Sequence, residues 1–232
     1  MTRNAILACY VASGLAILLM GTATDIDLAL ARAVFDPRSG VFPLRHAWMT
    51  EVLGHTVLKH LMTAAGAALV IAVAVDRYRP FTALPPDVRV RLRVIAFSAV
   101  LVPLVVMLLK RASSSHCPWD LLEFSGTQAY VRLFDTDVPG TLPGHCMPAG
   151  HASSAMWLVS LAVIWLPHRP RLAILAGGGG LGLGMLLGGV QQLRGAHFLT
   201  HTLWTAWIAC AVAGLLYALL VIGAVRRGST TT

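Results

Sequence analysis

Charge is what this sequence has least of. Only 12% of its 232 residues are Asp, Glu, Lys or Arg, and just ten are acidic. So thin a supply excludes an ordinary soluble domain of this length, and with 56% hydrophobic residues the chain reads as membrane-embedded. Internal repeats and low-complexity tracts are missing, apart from the run GGGG at 177–180, where small residues would let another helix approach closely. One domain over 1–232 is therefore expected. Cysteine is scarce too: Cys9 and Cys210 lie inside apolar runs, as small packing residues do. The net charge of +8 forms no stripe and accompanies no nucleic-acid-binding motif. It fits attraction to anionic lipid headgroups instead, and no nucleic-acid partner is expected.

What the chain does have is apolar length. Spanning about 30 Å of hydrocarbon takes roughly 20 helical residues. Six runs qualify as candidates, near 4–23, 55–75, 93–109, 151–167, 172–190 and 202–225. The third and fourth are short and are expected to extend into their polar flanks. The fold class expected is all-α, a polytopic membrane protein with six transmembrane helices. The first run lacks a small-residue cleavage site and is expected to be retained. Residues 24–53 should hold a short amphipathic helix (IDLALARAVF) lying at the membrane surface.

Orientation follows the basic residues. The short loops at 76–93 and 168–171 and the tail with Arg226 and Arg227 are compactly basic, which puts both termini in the cytoplasm. Cys117 and Cys146 then fall outside it, where an oxidising compartment would let them pair; two free thiols are the alternative.

Three clusters gather on that outer side: Lys110 to Asp120 (KRASSSHCPWD), Pro143 to Ser154 (PGHCMPAGHASS) and Arg194 to Trp204 (RGAHFLTHTLW). Ionisable groups at a membrane edge are functional candidates by default. Together they supply what phosphate ester chemistry needs: cations for the oxygens, a nucleophile, and an acid for the departing group. Lys110, Arg111 and Arg194 are cations, Gly150 allows close backbone approach at a helix start, and His151, His197 and His201 offer imidazoles that titrate near neutrality. Each also has a plainer explanation, such as a basic side chain snorkelling at a helix end.

The order and spacing of these clusters resemble the type 2 phosphatidic acid phosphatase superfamily of integral-membrane lipid phosphatases. That family carries Lys, six residues, Arg-Pro; then Pro-Ser-Gly-His; then Ser-Arg, five residues, His, three residues, Asp. Here Lys110 with Cys117-Pro118 matches the first motif, Cys standing for Arg. Pro148-Ala149-Gly150-His151 matches the second, with Ala for Ser. Val190-Gln191, His197 and His201 match the third, with Val-Gln for Ser-Arg and His for Asp. The likeness covers roughly 93–215.

The resemblance implies His197 as a nucleophile that forms a phosphohistidine, and His151 as the acid for the leaving oxygen. It implies that Lys110, helped by the backbone at Gly150, holds phosphate oxygens, and that His201 orients His197. Arg194 is expected to replace the arginine missing at Gln191, and Arg111 is a weaker candidate for the one missing at Cys117. The activity implied is a metal-independent lipid phosphatase, with no cofactor, in a bacterial inner membrane with its active site periplasmic. Lipid A, undecaprenyl diphosphate and phosphatidylglycerol phosphate are the substrate candidates. Alternatives are a phosphotransferase using the same intermediate, an inactive lipid-phosphate-binding member, and a zinc or copper site built from His and Cys. The oligomeric state is left open.

Overall fold

A computed structural model describes residues 2–133 and 142–223, so Arg226 and Arg227, used above for orientation, lie outside the described residues. The elements in order are α1 (Arg3–Ala23), α2 (Ile26–Val34), α3 (Leu58–Tyr78), α4 (Pro86–Arg111), α5 (Gly150–Met156), α6 (Pro170–Leu193) and α7 (Leu199–Leu216). A wide π-type winding, Met49–Val57, leads into α3, and another, Tyr217–Ile222, ends α7; α5 continues as a tight 3-10 stretch, Trp157–Ile164. The described chain is all-helical, with only isolated β-bridges.

Five helices are long and apolar enough to cross a membrane: Arg3–Ala23, Met49–Tyr78, Pro86–Arg111, Pro170–Leu193 and Leu199–Ile222. The third run extends into its polar flanks as expected, to 26 residues. The fourth does not: its helix starts only at Gly150, after Pro148, and stops at Ile164, before Pro167. Its mixed winding makes it longer than its residue count suggests. At about 1.5 Å per α residue and 2.0 Å per 3-10 residue, Gly150–Ile164 covers about 27 Å.

The core of the bundle is built where α4, α5 and α7 meet, around Val94, Ile95, Val102, Ala152, Met156, Trp157 and Ala209. Helix α6 joins it through glycines. A Cβ at Gly180 would fall 2.6 Å from the Leu158 backbone carbon, so only hydrogen fits, whereas Gly178 and Gly179 face open space. The glycine run thus has a packed side and an open side. Helix α1 sits against α7, with Tyr10 and Trp207 stacked at 4.4 Å and bonded to each other's backbone carbonyls. Leu7, Val11, Leu15 and Leu19 on α1 remain exposed, as a lipid-facing surface requires.

At one end of the bundle lies a second, smaller apolar cluster of Leu28, Ala31, Phe42, Leu121, Phe124 and Phe198. It roofs the start of α7. The amphipathic helix α2 forms one wall of this roof, and it buries a charge: Asp27 is 4% exposed. Its carboxylate accepts hydrogen bonds from the backbone N–H (3.1 Å) and the hydroxyl of Thr200, capping α7 from another helix. Burial raises the Asp27 pKa, while those hydrogen bonds pull it down. At the opposite end, the buried Arg91 donates to the carbonyls of Val163, Ile164 and Leu166, satisfying the end of the tight helix.

Candidate active site

The roofed end of the bundle is where the three motif clusters meet. Helix α7 opens after a turn at Gly195, whose φ of +72° and contact with Phe42 both require glycine: a Cβ there would lie 2.4 Å from the ring. That turn delivers His197 just before α7 and His201 within its first turn, 5% and 2% exposed. Their Nδ1 atoms are 3.5 Å apart. His201 Nε2 lies 3.2 Å from Ser115 Oγ. Nδ1–H on His197 donating to Nδ1 of His201, and Nε2–H of His201 donating to Ser115, is the tautomer assignment that satisfies this chain. The Cys146 backbone also hydrogen-bonds the His197 ring, and in this assignment Nε2 of His197 is the nitrogen that carries the lone pair.

The second motif is held against the third by two hydrogen bonds. Ala149 N–H donates to the His201 carbonyl at 3.0 Å, and Thr205 Oγ1 donates to the Ala149 carbonyl at 3.1 Å. These set the start of α5, where Gly150 and His151 sit. Lys110, at the end of α4, reaches the same place: a Cβ on Gly150 would be 3.9 Å from its Nζ. Both Lys110 and His151 act electrostatically on His197. Burial first, then His201, Lys110 and His151, hold the His197 pKa well below the ordinary histidine value, so the ring is neutral at neutral pH.

Cys117 and Cys146 form a disulfide that joins the first cluster to the second. Three backbone hydrogen bonds, from Gly144, His145 and Cys146 to the carbonyls of Ser114, Ser113 and Ser115, lace the same two loops. Cys146 Sγ lies 3.4 Å from His197 Nδ1. Cys117, Cys146 and His197 are also the one metal-like donor group among the described residues, with ligand atoms within 4.8 Å. A disulfide has no thiolate to give, so these three do not fit a zinc or copper ion while the bond is intact.

Two expected phosphate ligands sit differently. Arg194 is 5% exposed, and its guanidinium is committed to the protein: Nε to the Arg45 carbonyl (2.9 Å), Nη1 to Gln191 Oε1 (3.2 Å) and Nη2 to Glu51 Oε1 (3.4 Å). Arg111 is exposed. His145 is exposed as well, whereas His116 is buried with its Nδ1 unpartnered.

The winding before α3 adds residues that motif reading does not find. His55 lies against His151 with ring centroids 3.7 Å apart, and His151 Nε2 lies 3.2 Å from the His55 carbonyl oxygen. Lys59, one turn on, acts electrostatically on His55, His151 and Lys110. The signal for both was in the sequence: HTVLKHL places ionisable groups inside an apolar run.

Among the described residues, buried imidazoles and ammonium groups that make no ion pair gather at one end of the helical bundle, side-chain chemistry of the kind that holds anions. The family model for the PAP2 superfamily matches residues 91–222, more than half of the chain, and the protein belongs to that superfamily. It is thereby a phosphatase of lipid-like phosphate substrates by family. No curated protein and no solved structure gives a significant match.

Proposed function

We propose that this protein is a single-domain, six-span membrane phosphatase that removes phosphate from a lipid phosphate or diphosphate through a phosphohistidine on His197. The observation that carries this reading is the His197–His201 pair, which puts the lone pair of a neutral, buried imidazole on Nε2, beside Lys110 and His151. In the first step, Nε2 of His197 forms a bond to phosphorus, the bond from phosphorus to the leaving oxygen breaks, and His151 gives that oxygen a proton. In the second, a water oxygen bonds to phosphorus, the bond from phosphorus to His197 Nε2 breaks and returns its electron pair to the ring, His151 takes up a proton from the water, and inorganic phosphate departs. Lys110 and the backbone at Gly150 hold the equatorial oxygens. Bound phosphate also favours the protonated form of His151 that the first step uses. For Arg194 to clamp phosphate, its guanidinium must exchange Glu51 for the substrate.

A groove of about 470 Å³ between α3, α4 and α5, lined by Lys59, Ala67, Val70, Pro103, Gly150 and Trp157, leads from this cationic end along the bundle. It suits the hydrocarbon chain of a lipid whose head reaches Lys110. A larger groove of about 640 Å³ borders His197 from the α6 side but presents Asp27, a poor neighbour for phosphate. The short, tightly wound Gly150–Ile164 helix is the fourth of the six spans in this reading, and the site faces the periplasm of a bacterial inner membrane. Lipid A, undecaprenyl diphosphate and phosphatidylglycerol phosphate are the substrates to try. The test is phosphate release from these lipids by detergent-purified protein beside His197→Ala; inactivity on every lipid would favour a role in binding only.

A further inference from the structure

The superfamily match begins at residue 91, so α3 and the winding before it lie outside it. Yet this segment enters the site. Its His55 ring is stacked on His151, and its backbone carbonyl meets His151 Nε2. Lys59 lies within electrostatic reach of His55, His151 and Lys110 at once, and it lines the same groove as Gly150.

A lysine near a helix end has a simple alternative, snorkelling toward water. The neighbourhood of Lys59 argues against it. The groups around it are a second ammonium, Lys110, and the imidazoles of His55 and His151, none of them an anion, and among the described residues its ammonium makes no ion pair. The nearby acid, Glu51, is engaged by Arg194 and His46. Two ammonium groups brought together at a membrane edge with no carboxylate between them repel each other, and an anion bound between them relieves that repulsion. The family's arginine positions meanwhile hold Cys117, which is tied in a disulfide, and Gln191, which is uncharged.

We propose that Lys59 is a phosphate ligand of this site, supplying from α3 the positive charge that the motif positions at Cys117 and Gln191 have lost. This rests on the phosphatase reading above. Lys59 and Lys110 would grip the phosphate from two helices, Lys110 over the start of α5 and Lys59 at the mouth of the groove. The lipid phosphate would then enter between them with its chain along α3.

The test measures binding and does not need turnover. Orthovanadate binding to detergent-purified full-length protein is followed by titration calorimetry for wild type, Lys59→Gln, Lys59→Arg and Arg38→Gln, the last removing an exposed cation from the same end of the molecule. Losing a charge-assisted hydrogen bond should weaken binding by about tenfold or more in Lys59→Gln. Lys59→Arg should stay near wild type, and Arg38→Gln should match it. Thermal unfolding without vanadate checks that Lys59→Gln is folded, and Lys59→Met replaces it if it is not. Wild-type binding retained in Lys59→Gln would overturn the role of Lys59 and leave the phosphatase reading standing. No vanadate binding by wild type would overturn both.

Discussion

His197 and His201 meet through their Nδ1 atoms at 3.5 Å, one turn apart at the start of α7 and both almost wholly buried. An imidazole in the orienting position can accept the hydrogen bond that fixes its neighbour's tautomer. It cannot offer the negative charge that a carboxylate would hold against an imidazolium. As the proposed nucleophile, His197 is therefore aligned without being made more basic.

A pH dependence follows from that arrangement. In the proposed reaction the attacking form of His197 is the neutral one, and burial first, then any positive charge on His201, Lys110 and His151, depresses its pKa. Protonation at His197 should thus limit kcat/KM only well below the usual histidine range. In His201→Asp, an uncharged acceptor becomes a negatively charged one, the His197 pKa rises, and the acid limb should move to higher pH while turnover persists. A pH profile of kcat/KM for both proteins checks the direction; an unmoved limb would show that His201 does not face the nucleophile.

Asp27 should matter for stability although it is remote from the motifs. Asp27→Ala leaves the Thr200 N–H without its acceptor inside the protein, at a cost of about 1 to 3 kcal/mol, and loosens the turn that carries His197. Asp27→Asn keeps an acceptor without a buried charge and should cost less. Thermal unfolding in detergent ranks the two, and equal midpoints would contradict the capping role.

The disulfide should respond to reductant. It closes a loop with a sequence separation of 29, worth about 3 to 4 kcal/mol on the chain-entropy account. Reduction, or the double change of Cys117 and Cys146 to Ser, should lower the unfolding midpoint and reduce turnover, because the same bond holds the two loops beside His197. An unchanged midpoint in the double variant would remove the disulfide from the account.

If the α3–α4 groove takes the lipid chain, Ala67→Trp should raise KM for a long-chain lipid phosphate several-fold and leave hydrolysis of a short-chain analogue nearly unchanged. Equal effects on both substrates would point to a general disturbance of the fold.

Much of the site is legible in the sequence because its motifs are local. The spacing from Lys110 to Cys117-Pro118, the run Pro148 to His151 and the four-residue step from His197 to His201 all survive as geometry. What the sequence hides is partnership across distance. His55 and His151 stack across 96 residues, and Asp27 caps Thr200 across 173. Arg194 is recognisable as a buried cation only when Glu51 and the Arg45 carbonyl are seen around it. The end-to-end length of the Gly150–Ile164 helix is hidden for a different reason: hydropathy counts residues, whereas a 3-10 winding stretches each of them further.

The central claim is the covalent intermediate, and rapid acid-free quenching with a radiolabelled lipid phosphate tests it most directly. The account predicts label on wild-type protein, stable to base and released by acid, and none on His197→Ala, which should also fail to release phosphate. Turnover that persists in His197→Ala, or label that remains on it, would contradict the account.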